Sequence, residues 1–228
     1  MKAVLISIQP KWGEKIANGE KTIEVRKSRP KLETPFKVYI YCTNSRSNIF
    51  YLEKEACNGK NAITGVGNRK VIGEFVCDGI SEYRAEFTDL HHFDAMNENV
   101  CLNEIKKVGY YDEDDGDREY YYETSNAEEN PDDCELLKGS CLTFNELRKY
   151  IGSTFYDKSF YGWHISQLKI YDKPKELRQF RTITNCGSII AKDMLCNTCC
   201  ICSDFCTKKP KRLTRPPQSW CYVEGLRK

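Results

Sequence analysis

A lysine, a glutamate and an arginine stand close together near the start of the chain, in Gly19-Glu20-Lys21-Thr22-Ile23-Glu24-Val25-Arg26. From Thr22 onward the residues alternate as in a strand. Ile23 and Val25 fall on one face, and Thr22, Glu24 and Arg26 fall on the other. Lys21, at the turn before the strand, can lean over that polar face. Two cations and a carboxylate gathered there suit a phosphate or the edge of a base: the cations meet phosphate, and Glu24 accepts from an exocyclic amine. The blander reading of the same string is a solvated edge strand whose charges neutralise one another, since exposed ion pairs contribute little.

A second set of reactive side chains lies near the other end, in Cys196-x-x-Cys199-Cys200-x-Cys202-x-x-x-Cys206. Thiolates spaced by two or three residues can converge on one tetrahedral ion. Cys196, Cys199, Cys202 and Cys206 are the preferred four, and Cys186 or Cys200 can replace one of them. Zinc is the first choice and an iron–sulfur cluster the second; the alternative is a reduced, thiol-rich loop without metal. Four thiolates leave no open position for water, so a metal here would order a small insertion rather than catalyse. Lys208, Lys209, Lys211, Arg212 and Arg215 give that insertion a basic flank.

Other tempting strings carry less. Gly65-Val66-Gly67 lacks the G-K-[ST] ending of a phosphate loop. His91 and His92 are adjacent and so point apart on a helix or a strand. The acidic run 112–117 lacks the ligand spacing and terminal glutamate of a calcium loop. His164 reads as a packed or capped histidine rather than a base. Glu74 or Glu82 could add a carboxylate to the Lys21 site, and the sequence does not fix which face either occupies.

The elements that must position these groups are mostly strands. Residues 3–8 read as a buried first strand. Pro10 opens a short helix, where its missing N–H is not needed, with Trp12, Ile16 and Ala17 as the inward stripe. Gly19 ends that helix at a position favouring positive φ. Residues 36–43 alternate as a half-buried strand, and 44–68 form an excursion. Residues 71–77 read as a strand that continues to 83 with a curve after Gly79. Residues 142–152 are the clearest helix: Thr143 starts it, Glu146 completes a capping box and Gly152 ends it, with Leu147, Tyr150 and Ile151 inward. Residues 160–171 read as one long strand, bulged near Ser166-Gln167 because its apolar residues change parity there. A short strand after Pro216-Pro217 closes the chain.

A chain of 228 residues with 40% hydrophobic and 30% charged residues is globular in composition. Its net charge of +2 excludes a global basic field, so any nucleic-acid binding must use a local patch. No apolar run is long enough to span a bilayer. Residues 1–8 are too short for a signal sequence. The expectation is a cytoplasmic protein whose thirteen cysteines are thiols or metal ligands rather than disulfides.

The run Ser7-Ile8-Gln9-Pro10-Lys11-Trp12 followed by residues 16–26 resembles the opening of ASCH-domain proteins, marked by G-x-K-x-x-E-x-R. Gly19, Lys21, Glu24 and Arg26 fill all four marked positions. The resemblance implies an α+β fold: a PUA-like mixed or antiparallel β-barrel with short flanking helices. Here a single domain over 1–228 would carry two insertions, an acidic one near 94–138 and the Cys-rich metal knuckle over 175–214. It also implies an RNA-associated role, with RNA, a nucleotide or a nucleoside as partner and a cleft lined by Lys21, Glu24 and Arg26. Relatives include ribonucleases and an amidohydrolase acting on N4-acetylcytidine, in which the motif lysine and a nearby threonine and glutamate are implicated. Glu24 occupies that threonine position here, which departs from the hydrolase pattern. A small hydrolase with Lys21 as base and Glu24 as proton shuttle is the alternative to a binding module.

Overall fold

The computed structural model describes residues 2–46, 49–55, 61–87, 100–109, 120–124, 134–183 and 211–226. Its elements run β1 (Lys2–Ile8), α1 (Pro10–Ala17), β2 (Ile23–Arg26), β3 (Phe36–Cys42), β4 (Tyr51–Glu55), β5 (Asn61–Val66), β6 (Lys70–Cys77), β7 (Ile80–Phe87), β8 (Val100–Gly109), β9 (Tyr120–Thr124), α2 (Glu135–Ser140), α3 (Phe144–Ile151), β10 (Phe160–His164), β11 (Ser166–Glu176) and β12 (Trp220–Glu224). Strands β8 and β9 and the start of α2 fall inside the stretch 94–138. None of the helices among the described residues is long and apolar enough to cross a membrane.

The described residues group into two compact units, one from 1–18, 35–77 and 166–228, the other from 19–34 and 78–165. In the first unit a five-stranded sheet runs β11-β6-β3-β1-β12. Its β1–β3 pairing is parallel and the others are antiparallel. The parallel pair requires a crossover, which α1 and β2 supply. On one face Tyr39, Tyr41, Val71 and Tyr171 meet Phe180, Leu213 and Val223. Strand β3 is therefore buried on both sides rather than half-buried, because the last residues of the chain return to cover its tyrosine face. Residues 44–68 contribute the β4–β5 hairpin, with Phe50 and Leu52 buried.

The second unit holds the antiparallel sheet β2-β10-β7-β8-β9. Helices α2 and α3 supply Leu136, Leu137, Leu147 and Ile151 to a core shared with Val25, Tyr83 and Phe160. At roughly 1.5–3 kcal/mol for each large apolar side chain taken from water, this core is what holds β2 in place. Thr143 caps α3 with Glu146 in a reciprocal capping box, and Gly152 ends it, as the sequence requires.

The strand-rich α+β character matches expectation, but the ladders among the described residues form two five-stranded sheets and a hairpin and draw no closed barrel. Two expected single strands are each divided between the sheets. Residues 70–77 lie in one and 80–87 in the other, and likewise 160–164 and 166–176. The parity change near 166–167 is real: Gln167 has φ of 47° and the register slips between Ser166 and Lys169. Trp12 is only partly buried, under the Lys11 ammonium, and Pro10, Gly13 and Ile16 form the buried stripe of α1. The Cys-rich segment, from Cys186 through Cys196, Cys199, Cys202 and Cys206, lies outside the described residues, as do His91, His92 and the run 112–117.

Candidate functional site

Strand β2 is the edge of the second sheet, paired only by β10 among the described strands, with Glu24 opposite Trp163 and Arg26 opposite Tyr161. Its alternation is as expected. Val25 and Ile23 face the core under α2 and α3, which turns Glu24 and Arg26 to the other side. The solvated-edge reading fails, however. Lys21 is 3% exposed, Glu24 7% and Arg26 5%.

The lysine is fixed by the end of α2. A helix leaves its last carbonyls without partners inside the helix and carries partial negative charge there. Here Lys21 Nζ donates to the Ser140 carbonyl at 2.8 Å, and the Thr22 N–H donates to the Gly139 carbonyl at 2.8 Å. Cys141 takes the left-handed conformation that ends the helix, with φ of 55°. Gly139 is needed for the approach, since a Cβ there would lie 2.8 Å from Ile23 Cδ1 and 3.0 Å from Thr22 Oγ1.

Glu24 bridges the two cations. One carboxylate oxygen lies 3.4 Å from Lys21 Nζ, and the other 3.0 Å from an Arg26 guanidinium nitrogen. Each oxygen keeps a second acceptor position. Arg26 also donates to the hydroxyl of Tyr150, a residue 40% exposed. Tyr150 was expected in the buried stripe of α3; it instead turns its hydroxyl to the cluster and part of its ring to solvent.

Burying ions costs several kcal/mol each, and their mutual attraction offsets this only with favourable geometry and further hydrogen bonds. Apolar side chains would stabilise an edge strand as well or better, so stability does not account for the choice. Burial pushes the Lys21 pKa below its ordinary 10.5, while Glu24 pulls against that shift. Burial likewise raises the Tyr150 pKa, opposed by the nearby guanidinium. The cluster thus offers a partly screened cationic pair, a carboxylate with spare acceptor positions, and a lysine whose neutral form is more accessible than usual.

Of the further candidates, Glu82 stands in the same cross-strand row as Arg26, with Tyr161 between them. Glu74 belongs to the first unit, where it takes a salt bridge from Lys37 at 2.8 Å and a hydrogen bond from the Tyr171 hydroxyl at 2.6 Å. His164 is capped but not packed: its Nδ1 shares a 2.7 Å hydrogen bond with the Asp78 carboxylate, and its side chain is 56% exposed. A hollow of about 650 Å³ is lined by the loop 29–34 and Ile80, not by the buried charges. Among the described residues no group of His, Cys, Asp and Glu is placed to hold a metal. Cys42, Cys134, Cys141 and Cys221 are free thiols, and burial raises the pKa of Cys42 to about 12 and of Cys221 to about 11.

Two parts of the site escaped sequence reasoning. The helix α2 falls inside a stretch that reads as acidic, although Glu135-Leu136-Leu137-Lys138 carries an apolar pair behind an acidic first residue. Tyr150 fell at an inward position by helical periodicity, and nothing local distinguishes it from Leu147 or Ile151.

Two solved structures are similar to this chain: the crystal structure of ASCH from Zymomonas mobilis and that of a single-site mutant of it. Each is 14% identical with a TM-score of 0.40, covering 78% of this chain and 75% and 78% of those chains respectively. Similarity at that level places no residue. No curated protein matches the chain. The family model of the ASCH domain matches residues 6–131, more than half of the sequence and the whole of the Gly19–Arg26 motif. The chain belongs to the ASCH domain family.

Proposed function

We propose that this protein is a nucleic-acid-binding module that takes RNA or a modified nucleotide at the Lys21–Glu24–Arg26 cluster. The observation that supports this most is the burial of three charges on and just before an edge strand, held in place by the end of α2, where stability alone would favour apolar side chains. Arg26 and Lys21 would meet a phosphate or a base carbonyl. Glu24 would use its remaining acceptor positions for an exocyclic amine. Membership in a family with a PUA-like fold often associated with RNA binding agrees with this assignment.

The lowered pKa of Lys21 favours one second reading, a hydrolase of nucleosides or RNA in which the neutral amine acts as base. A panel of nucleosides and short RNAs, scored for both binding and turnover, separates the two. With Lys21→Ala a binding module loses affinity, by about 2–5 kcal/mol for a truncated buried charge pair. A hydrolase loses turnover, which in the native protein should rise with pH as Lys21 deprotonates. Unchanged binding and turnover in that variant would remove the cluster from either role.

The cysteine-rich segment is proposed to hold one structural zinc through Cys196, Cys199, Cys202 and Cys206. Elemental analysis of protein purified without chelator should give about one zinc per chain. Iron, or no metal, would refute the assignment.

A further inference from the structure

The eleven residues 21–31 carry five cations and one carboxylate, against a net charge of only +2 for the whole chain. Lys21 and Arg26 are buried with Glu24, but Lys27, Arg29 and Lys31 are exposed. The first two of these stand over aromatic rings. Lys27 Nζ is 5.6 Å from the centroid of Tyr150, and the Arg29 guanidinium carbon is 5.9 Å from that of Tyr161. Both tyrosines are tied to the buried cluster, Tyr150 through its hydrogen bond with Arg26 and Tyr161 by pairing with Arg26 across the sheet. The positive charge of this unit therefore leaves the cluster along the loop after β2, flanked by aromatic side chains.

A free nucleotide does not require that extension, because one phosphate is already served by Lys21 and Arg26. A duplex would leave the tyrosines idle, since its base faces are occupied by stacking on one another. Cations interleaved with aromatic rings suit a polyanion whose flat groups are unstacked. We propose that this surface seats a single-stranded nucleic acid, one base stacked on the open part of the Tyr150 ring and the neighbouring phosphates held by Lys27 and Arg29. The proposal rests on the reading that the buried cluster takes a nucleotide. It selects a single-stranded polymer over the free nucleotide and adds the residues that recognise it. Tyr161 supports the Arg29 guanidinium rather than offering a second stacking face.

Fluorescence anisotropy with a labelled oligouridylate of about ten nucleotides tests this. Uridine monophosphate, a hairpin duplex of similar length and polyglutamate serve as competitors. The oligouridylate should bind more tightly than all three. Tyr150→Ala should weaken it about tenfold, the scale of one lost base–aromatic stack, while Tyr150→Phe retains most of the affinity. Lys27→Ala and Arg29→Ala should each reduce the slope of log affinity against log salt by about 0.7, one phosphate contact on a single strand. Uridine monophosphate competing as well as the oligomer, with Tyr150, Lys27 and Arg29 variants unaffected but Lys21→Ala defective, would overturn the strand path and keep the nucleotide site. Equal competition by the duplex or by polyglutamate would also overturn the path, reducing it to unspecific attraction of polyanions. Loss of all effect from Lys21→Ala would instead remove the underlying site.

Discussion

At the scale of single residues, Glu24 is what allows two cations to share a nearly closed space. Glu24→Ala leaves Lys21 and Arg26 buried without their common counter-ion, and should destabilise the protein by about 3–5 kcal/mol. Lys21→Met should cost less, because it removes a charge along with its partner's demand and keeps the aliphatic stem. Urea unfolding of both variants checks the order; a Glu24→Ala cost below about 1 kcal/mol would mean that water reaches the cluster freely. The pH dependence has a definite sign. The folded-state pKa of Lys21 lies below 10.5, so between that lowered value and 10.5 the unfolded chain binds more protons on this group. Its contribution to stability therefore rises with pH across that window, and Lys21→Met should flatten the rise in unfolding curves measured through the alkaline range. Much at this scale was written in the sequence. The alternation of Ile23, Glu24, Val25 and Arg26 and the positive φ of Gly19, 76°, follow from residue type alone.

At the scale of elements, the site depends on how closely α2 approaches β2. Gly139→Ala gains about 1 kcal/mol of helix propensity. It also drives a methyl group against Ile23 Cδ1, Ile23 Cγ1 and Thr22 Oγ1, all within 3.0 Å of the added carbon. Ile23 is β-branched and stiff at χ1 and is packed against the core. The clash should win, at about 1–3 kcal/mol for an overpacked contact, and should shift the Ser140 carbonyl away from Lys21. Thermal unfolding together with the binding assay would show it; a variant more stable than the parent would refute the close packing. The capping box of α3 and the bulge near Gln167 were legible because they are local, set by hydrogen bonds and parity within a few residues. The support that α2 gives to Lys21 was not, since it joins residues 119 positions apart and leaves no periodic trace.

At the scale of the molecule, the sequence spoke for strands but not for their partners. The stretches 71–83 and 160–171 each read as one strand because alternation reports exposure of faces and is blind to which sheet a segment joins. Breaks at Asp78-Gly79 and at Ile165 send each stretch from one sheet to the other. In the first sheet, the Glu74 carboxylate is pushed up by burial, but its bonds to Lys37 and Tyr171 outweigh this and leave its pKa below 4.5. Its stabilising contribution is complete above 4.5 and is lost as pH falls through the lowered value. Glu74→Gln should therefore narrow the gap between stability at neutral and at acidic pH, measured by denaturant titration.

The order of strands also sets a timetable for synthesis. Strand β1 precedes the other described strands, yet it finds its antiparallel neighbour only in β12, at Lys2 against Glu224 and Ile6 against Trp220. The sheet that carries the buried charges is complete once residue 164 has left the ribosome. A nascent chain should therefore complete the sheet around the Lys21–Glu24–Arg26 cluster while β1 still has a vacant edge, the kind that recruits other chains. Proteolysis of arrested nascent chains should reveal protection around β2 and β10 before protection around β1. The reverse order would show that β1 and β12 meet by another route.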